Sequence, residues 1–313
     1  MSSWITVDPT ESSTFHEISS GTFTITYSDK SQVSGDYFAD NLELGGATVS
    51  SLTMGLAKVV TSSTTLGLHG LMGIGYISNE AIAQNPSDEY PNIVYDLVSQ
   101  NIIGSYSYSL WLDDLGKLLK TCFTRLPRNI DVLQKLMTLV PEAKTGTILF
   151  GGYDSTKFQG SLVTMPTLPN ANGVVTSFLV SMLSLSATYE GETTVFTDST
   201  FDQPALLDSG TALAWVPSSL YAQLASYFGA DANGLIDCGL GQKTGYASFG
   251  FGGITIQVPF SELAVRDSAS ETCYFGFYDG GNQLTLGDTF LRSAYIYYDL
   301  GNNEIGLAQT VFE

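Results

Sequence analysis

Apolar and polar residues alternate in short runs along most of the chain, the period of half-buried strands. In GTFTITY, residues 21–27, Phe23, Ile25 and Tyr27 alternate before a polar SDKS. The chain then rises again through QVSGDYFADNLELGG, which predicts a hairpin, and SLTMGLAKVV predicts a further strand. YSYSLWL, GTILFGGY and GSLVTMPT read as strands in the middle of the chain. The period turns helical in YPNIVYDLVSQNII, with Ile93, Val94, Leu97 and Val98 on one face, and again in PSSLYAQLASYFG. LPNANG, residues 168–173, is a turn-rich break after Pro166 and predicts a boundary between lobes 1–168 and 169–313. The closing LTLGDTFLRSAYIYYDLGNNEIGLAQ is expected to end the chain in strands. The class is all-β with a few short helices.

Composition narrows the picture. In 313 residues there are 17 Tyr, 17 Phe and 32 Gly, a set rich in strand and turn formers. No apolar run is long enough for a transmembrane helix. Acidic residues outnumber basic ones 31 to 12, and the net charge of −19 argues against nucleic acid or an anionic membrane as partner. Such a surface suits acidic surroundings, where protonation relieves self-repulsion; it equally serves solubility. No His, Cys, Asp and Glu spacing suggests a metal site, His16 and His69 stand alone, and no cofactor is called for. Cys238 and Cys273 suit a structural disulfide in an oxidising compartment, the alternative being two buried thiols. The start MSSWITVDPTESSTF has neither the basic residues nor the apolar core of a signal peptide.

One segment breaks the pattern. Residues 116–141 hold Lys117, Lys120, Arg125, Arg128 and Lys135, five of the 12 basic residues, against the single acid Asp131, together with the odd thiol Cys122. Three readings stand: a surface insertion, a basic amphipathic helix for a partner or membrane surface, or translated intron sequence.

The chemistry concentrates in ALLDSGTALAWVP, residues 205–217. A carboxylate at the end of an apolar strand is costly unless it is hydrogen-bonded. Ser209, Gly210 and Thr211 can meet that need, Gly210 by allowing a tight turn and Thr211 by offering a hydroxyl. An Asx-turn at a strand end asks for the same residues. So does a reaction in which two carboxylates share a proton and activate water against a peptide carbonyl.

The intact motif resembles the second catalytic segment of the pepsin-like aspartic endopeptidases, above all the secreted and cell-surface enzymes of fungi. GLHGLMGIGY is similar to the apolar-apolar-Gly segment of their first lobe. FTITYSDKSQVSGDY resembles their flap hairpin, and LTLGDTFLRSAYIYYDLGNNEIGLAQ their closing segment. The resemblance implies a bilobal fold that binds a polypeptide in extended form in a cleft, a monomer, and a place outside the cell or on its surface. It implies that Asp208 is one of two catalytic aspartates, supported by Ser209, Gly210 and Thr211, that Tyr27 and Asp29 belong to the flap, and that Cys238 and Cys273 form the second-lobe disulfide.

The sequence departs from the family twice. Ser28 and Lys30 replace the flap glycines, and no Asp-Thr-Gly or second Asp-Ser-Gly occurs. Asp8, Asp198 and Asp288 lack the glycine turn that follows a catalytic aspartate. Ser2, Ser3 and Trp4 look like the residues just after the family's first motif. The expectation is therefore a first lobe incomplete at its N-terminus, its aspartate lying upstream, and a 313-residue chain that is inactive as it stands. The competing expectation is a non-catalytic relative whose cleft binds peptides or a partner. A dimer sharing Asp208 conflicts with the presence of both lobes' motifs, and a glycosidase would need a second placed acid.

Overall fold

The computed structural model describes residues 8–27, 31–61, 70–81, 89–113, 146–267 and 270–312. The basic segment with Cys122, residues Ser28, Asp29 and Lys30, His69, and the start through Val7 lie outside the described residues. The chain forms two compact units, one ending at Tyr106 and the other beginning at Ser107.

The first unit is built on a three-stranded antiparallel sheet, β1 (His16–Thr26), β2 (Gln32–Leu44) and β3 (Ala47–Thr61), in that order. The predicted hairpin is present: Ile25 pairs with Val33, and the Tyr27 N–H donates to the Ser31 carbonyl at 2.9 Å. Gly45 and Gly46, at φ +57° and +85°, make the β2–β3 turn, a left-handed backbone that glycine enters at least cost. The core gathers Val33, Tyr37, Phe38, Val49 and Leu52 with Ile93, Val94 and Leu97 of helix α1 (Ile93–Ser99). Asn92 caps that helix, its side chain accepting from the Val94 N–H. The Gln100 side chain clamps the helix end to β3, exchanging two 2.9 Å hydrogen bonds with the Ser50 backbone. Val98, expected on the apolar face, is only half-buried, and the buried Asp96 stands there instead.

In the second unit an antiparallel five-stranded sheet runs β5 (Gly146–Phe150), β4 (Ser107–Leu112), β18 (Ala294–Asp299), β19 (Glu304–Thr310), β6 (Phe158–Pro166). It knits the middle of the chain to its closing segment, and both stretches fall in the second compact unit.

An eight-stranded sheet follows the order β13 (Ile254–Pro259), β12 (Gly245–Phe251), β7 (Leu179–Tyr189), β9 (Gln203–Leu207), β17 (Thr285–Leu286), β10 (Ala214–Val216), β16 (Phe277–Asp279), with β8 (Glu192–Val195) paired to β7. Helix α2 (Ser218–Phe228) fulfils the second helical pattern, burying Leu220 and Leu224 and ending at Gly229 with φ +79°. A small sheet of β11 (Leu235–Ile236), β15 (Cys273–Phe275) and β14 (Ala264–Arg266) completes the unit. There Cys238 and Cys273 are joined in a disulfide, which excludes the free-thiol alternative. The closing segment is not all strand: Asp288–Leu291 form a helical turn, α3, in which Thr289, Phe290 and Leu291 are all buried, so no strand alternation can hold there.

The described residues are mostly strand, as expected. No described helix is long and apolar enough to cross a membrane.

Candidate active site

β9 lies inside its sheet, antiparallel to β7 and parallel to β17, and its Ala205 and Leu207 are buried. Its ladder ends at Asp208, whose N–H donates to the Leu286 carbonyl at 3.1 Å. The next donors turn back on Asp208 itself. The Gly210 N–H reaches Oδ1 at 2.9 Å and the Thr211 hydroxyl reaches Oδ2 at 2.7 Å. The Thr211 N–H meets the Asp208 carbonyl at 3.2 Å. Each carboxylate oxygen thus has its own donor, and the carboxyl group is fixed by its own turn. Asp208 remains half-exposed at the surface of the unit, able to meet a water or substrate. Ser209 is exposed beside it and makes none of these bonds.

A second stretch of chain crosses the turn. The Asp288 N–H donates to the Thr211 carbonyl at 2.8 Å and the Thr289 N–H to Ala212 at 3.2 Å. Gly287 makes the crossing possible: a Cβ there would sit 2.1 Å from the Thr211 oxygen and 2.5 Å from that of Leu213. The Thr289 hydroxyl is buried against the Gly276 carbonyl at 3.0 Å. Asp288 is thereby held beside Asp208. Burial drives its carboxyl up from the ordinary 3.8 to about 6, the Arg292 guanidinium opposing and the Asp208 charge adding to the rise.

Aromatic residues form the other flank. The Phe178 carbonyl accepts the Leu207 N–H at 3.0 Å, and its ring meets Tyr298 edge-on at 4.6 Å. Tyr298 stacks on Tyr108 at 4.7 Å. Burial and the nearby Asp208 charge both push the Tyr298 hydroxyl far above its usual range, so it stays protonated.

Of the residues singled out in the sequence, Asp208, Ser209, Gly210 and Thr211 come together as one turn. Tyr27 belongs to the other compact unit, at the neck of its hairpin, and Asp29 lies outside the described residues. Asp288, set aside for want of a following glycine, lies against the turn; Gly287 before it was the available signal. Phe178, Tyr298 and Arg292 carried no motif of their own. Among the described residues, no three His, Cys, Asp or Glu side chains are grouped as a metal site.

Comparison with known proteins gives the family. The family model for eukaryotic aspartyl proteases matches residues 2–121 and 133–310, and this chain belongs to that family. The probable aspartic-type endopeptidase opsB of Aspergillus fumigatus is 34% identical over 97% of this chain. An acid protease of Saccharomycopsis fibuligera is 34% identical over 98% of the chain and 72% of its own length. Barrierpepsin of Saccharomyces cerevisiae is 29% identical over 95% of the chain and 48% of its own length. The chain spans 59% of the length of the Aspergillus relative. The crystal structure of an aspartic proteinase from Irpex lacteus matches with a TM-score of 0.70 and 22% identity, over 96% of this chain and 84% of that one, which supports the fold.

Proposed function

We propose that this protein is an aspartic endopeptidase that hydrolyses peptide bonds at acid pH, with Asp208 as one of its two catalytic aspartates. The observation that carries the reading is the hold on Asp208, whose two oxygens each accept one hydrogen bond at the end of a strand flanked on both sides. Membership of the aspartyl protease family supports it.

In this chemistry two carboxyl groups share one proton. The ionised one takes a proton from water as it attacks the peptide carbonyl, and the protonated one donates to the carbonyl oxygen. Thr211 and Gly210 keep the Asp208 oxygens aimed, Ser209 borders the reacting water, and no metal or cofactor takes part. A single carboxylate cannot fill both roles at once. No Asp-Thr-Gly or second Asp-Ser-Gly occurs in these residues, so the reading requires a second carboxyl group besides Asp208. Tyr27 and Asp29 are assigned to a flap over an extended polypeptide substrate, in a protein of two lobes, 1–168 and 169–313. The site of action is outside the cell or on its surface, as a monomer.

The test is digestion of a denatured protein at acid pH, with and without a statine-type transition-state mimic. This protein is compared with its Asp208→Asn variant. The expected result is mimic-sensitive cleavage that the variant lacks. Full cleavage by the variant would overturn the assignment of Asp208.

A further inference from the structure

The largest fully buried side chain among the described residues is a charged one. Arg292 is 2% exposed, and its guanidinium lies between two carboxylates. Its Nε is 3.5 Å from Oε2 of Glu262, itself 1% exposed. Its Nη1 is 3.8 Å from Oδ2 of Asp288, 13% exposed, one turn earlier on the same helical segment. Asp288 in turn hydrogen-bonds through its N–H to the Thr211 carbonyl, in the turn that holds Asp208. Glu262 comes from a different element, the turn between β13 and β14, where its N–H donates to the Pro259 carbonyl.

Two buried charges of opposite sign rarely stabilise a fold more than apolar side chains of the same volume. This pair also has a carboxyl at each end of one guanidinium, and only one of these ends faces the candidate active site. We propose that Glu262 is a positioning residue for that site: it draws Arg292 away from Asp288 and so sets how much positive charge Asp288, and through it Asp208, receives. The proposal rests on the reading of Asp208 as catalytic. The charged and titratable groups that face Asp288 are Arg292 on its own segment and Asp208 at the end of β9, with Glu262 behind Arg292.

The relay predicts shifts of opposite sign, which a merely structural pair does not. In Glu262→Gln the guanidinium loses its rival carboxylate and turns its charge on Asp288, whose titration midpoint falls by about one pH unit. In the double variant Glu262→Met, Arg292→Met the cation is gone, and the midpoint rises by about the same amount. The double variant replaces charge with apolar volume, the change that buried pairs tolerate best. The measurement is the pH titration of the Asp288 carboxyl carbon in the 13C-aspartate-labelled 313-residue chain, assigned with Asp288→Asn.

A fall in the first variant and a rise in the second supports the relay. Shifts in the same direction, or none, overturn it. If Glu262→Gln does not fold, the double variant decides the point: with the cation gone the midpoint must rise, and an unchanged or lower midpoint overturns the relay. The titration needs no substrate. It is decided whether or not Asp208 hydrolyses peptides, and its failure leaves the digestion test intact.

Discussion

Asp208 is held by two donors of different kinds, one backbone and one side chain, and the side chain is open to substitution. Thr211→Ala removes the 2.7 Å hydrogen bond to Oδ2. A hydrogen bond to a charged group contributes about 1.5–3 kcal/mol, so kcat is expected to fall by a factor on the order of ten to a hundred. Thr211→Ser keeps the hydroxyl and most of the rate. Steady-state kinetics on both variants check this; equal losses in the two would show that the hydroxyl is not the point. Asp288 gives a second prediction at this scale. Its folded value of about 6 lies above the ordinary 3.8, so the folded state binds its proton more tightly. The stabilisation is full below about pH 4 and disappears as pH rises through 6, with a total on the order of 3 kcal/mol. Asp288→Asn, which cannot ionise, is expected to melt with a weaker pH dependence between pH 4 and 6. Thermal denaturation across that window tests it, and an unchanged slope would contradict it. The same residues show what the sequence made legible. The Asp208 turn could be read because the bonds to its carboxyl group are local, between residues two and three apart. Asp288 and Phe178 could not, because they come near only when β17 and β7 pair with β9.

At the scale of elements, the site depends on a crossing of two loops more than on any single strand. β17 is two residues long, yet it aligns Leu286 with Leu207 and delivers Gly287 onto the Thr211 carbonyl. Gly287→Ala places a methyl where backbone oxygens already stand. It is expected to destabilise the fold by about 3 kcal/mol, the upper range for overpacking a tight interior. Denaturant unfolding measures this directly; a loss within experimental error would mean that the crossing can open freely. Periodicity predicted β1 to β3 and the two longer helices. It missed α3, whose residues are buried on every side and so carry no alternation. It also put Val98 where the buried Asp96 stands, because a short helix packed against a sheet has a narrower apolar face than its sequence suggests.

For the whole molecule, long-range pairing gathers distant stretches: β18 and β19 recruit β4, β5 and β6 into one sheet, and the second compact unit starts at Ser107. The disulfide staples part of this unit, closing a loop with a sequence separation of 35. In the chain-entropy picture such a link contributes about 4 kcal/mol. Replacing both Cys238 and Cys273 with Ser is expected to lower the melting temperature by a corresponding amount; an unchanged melt would mean that the small sheet stands without it. The account as a whole turns on the hydrolytic role of Asp208. The most direct measurement is acid-pH digestion of a denatured substrate by this protein and by its Asp208→Asn variant. The account predicts cleavage that the transition-state mimic blocks and that the variant lacks. Full cleavage by the variant would contradict it.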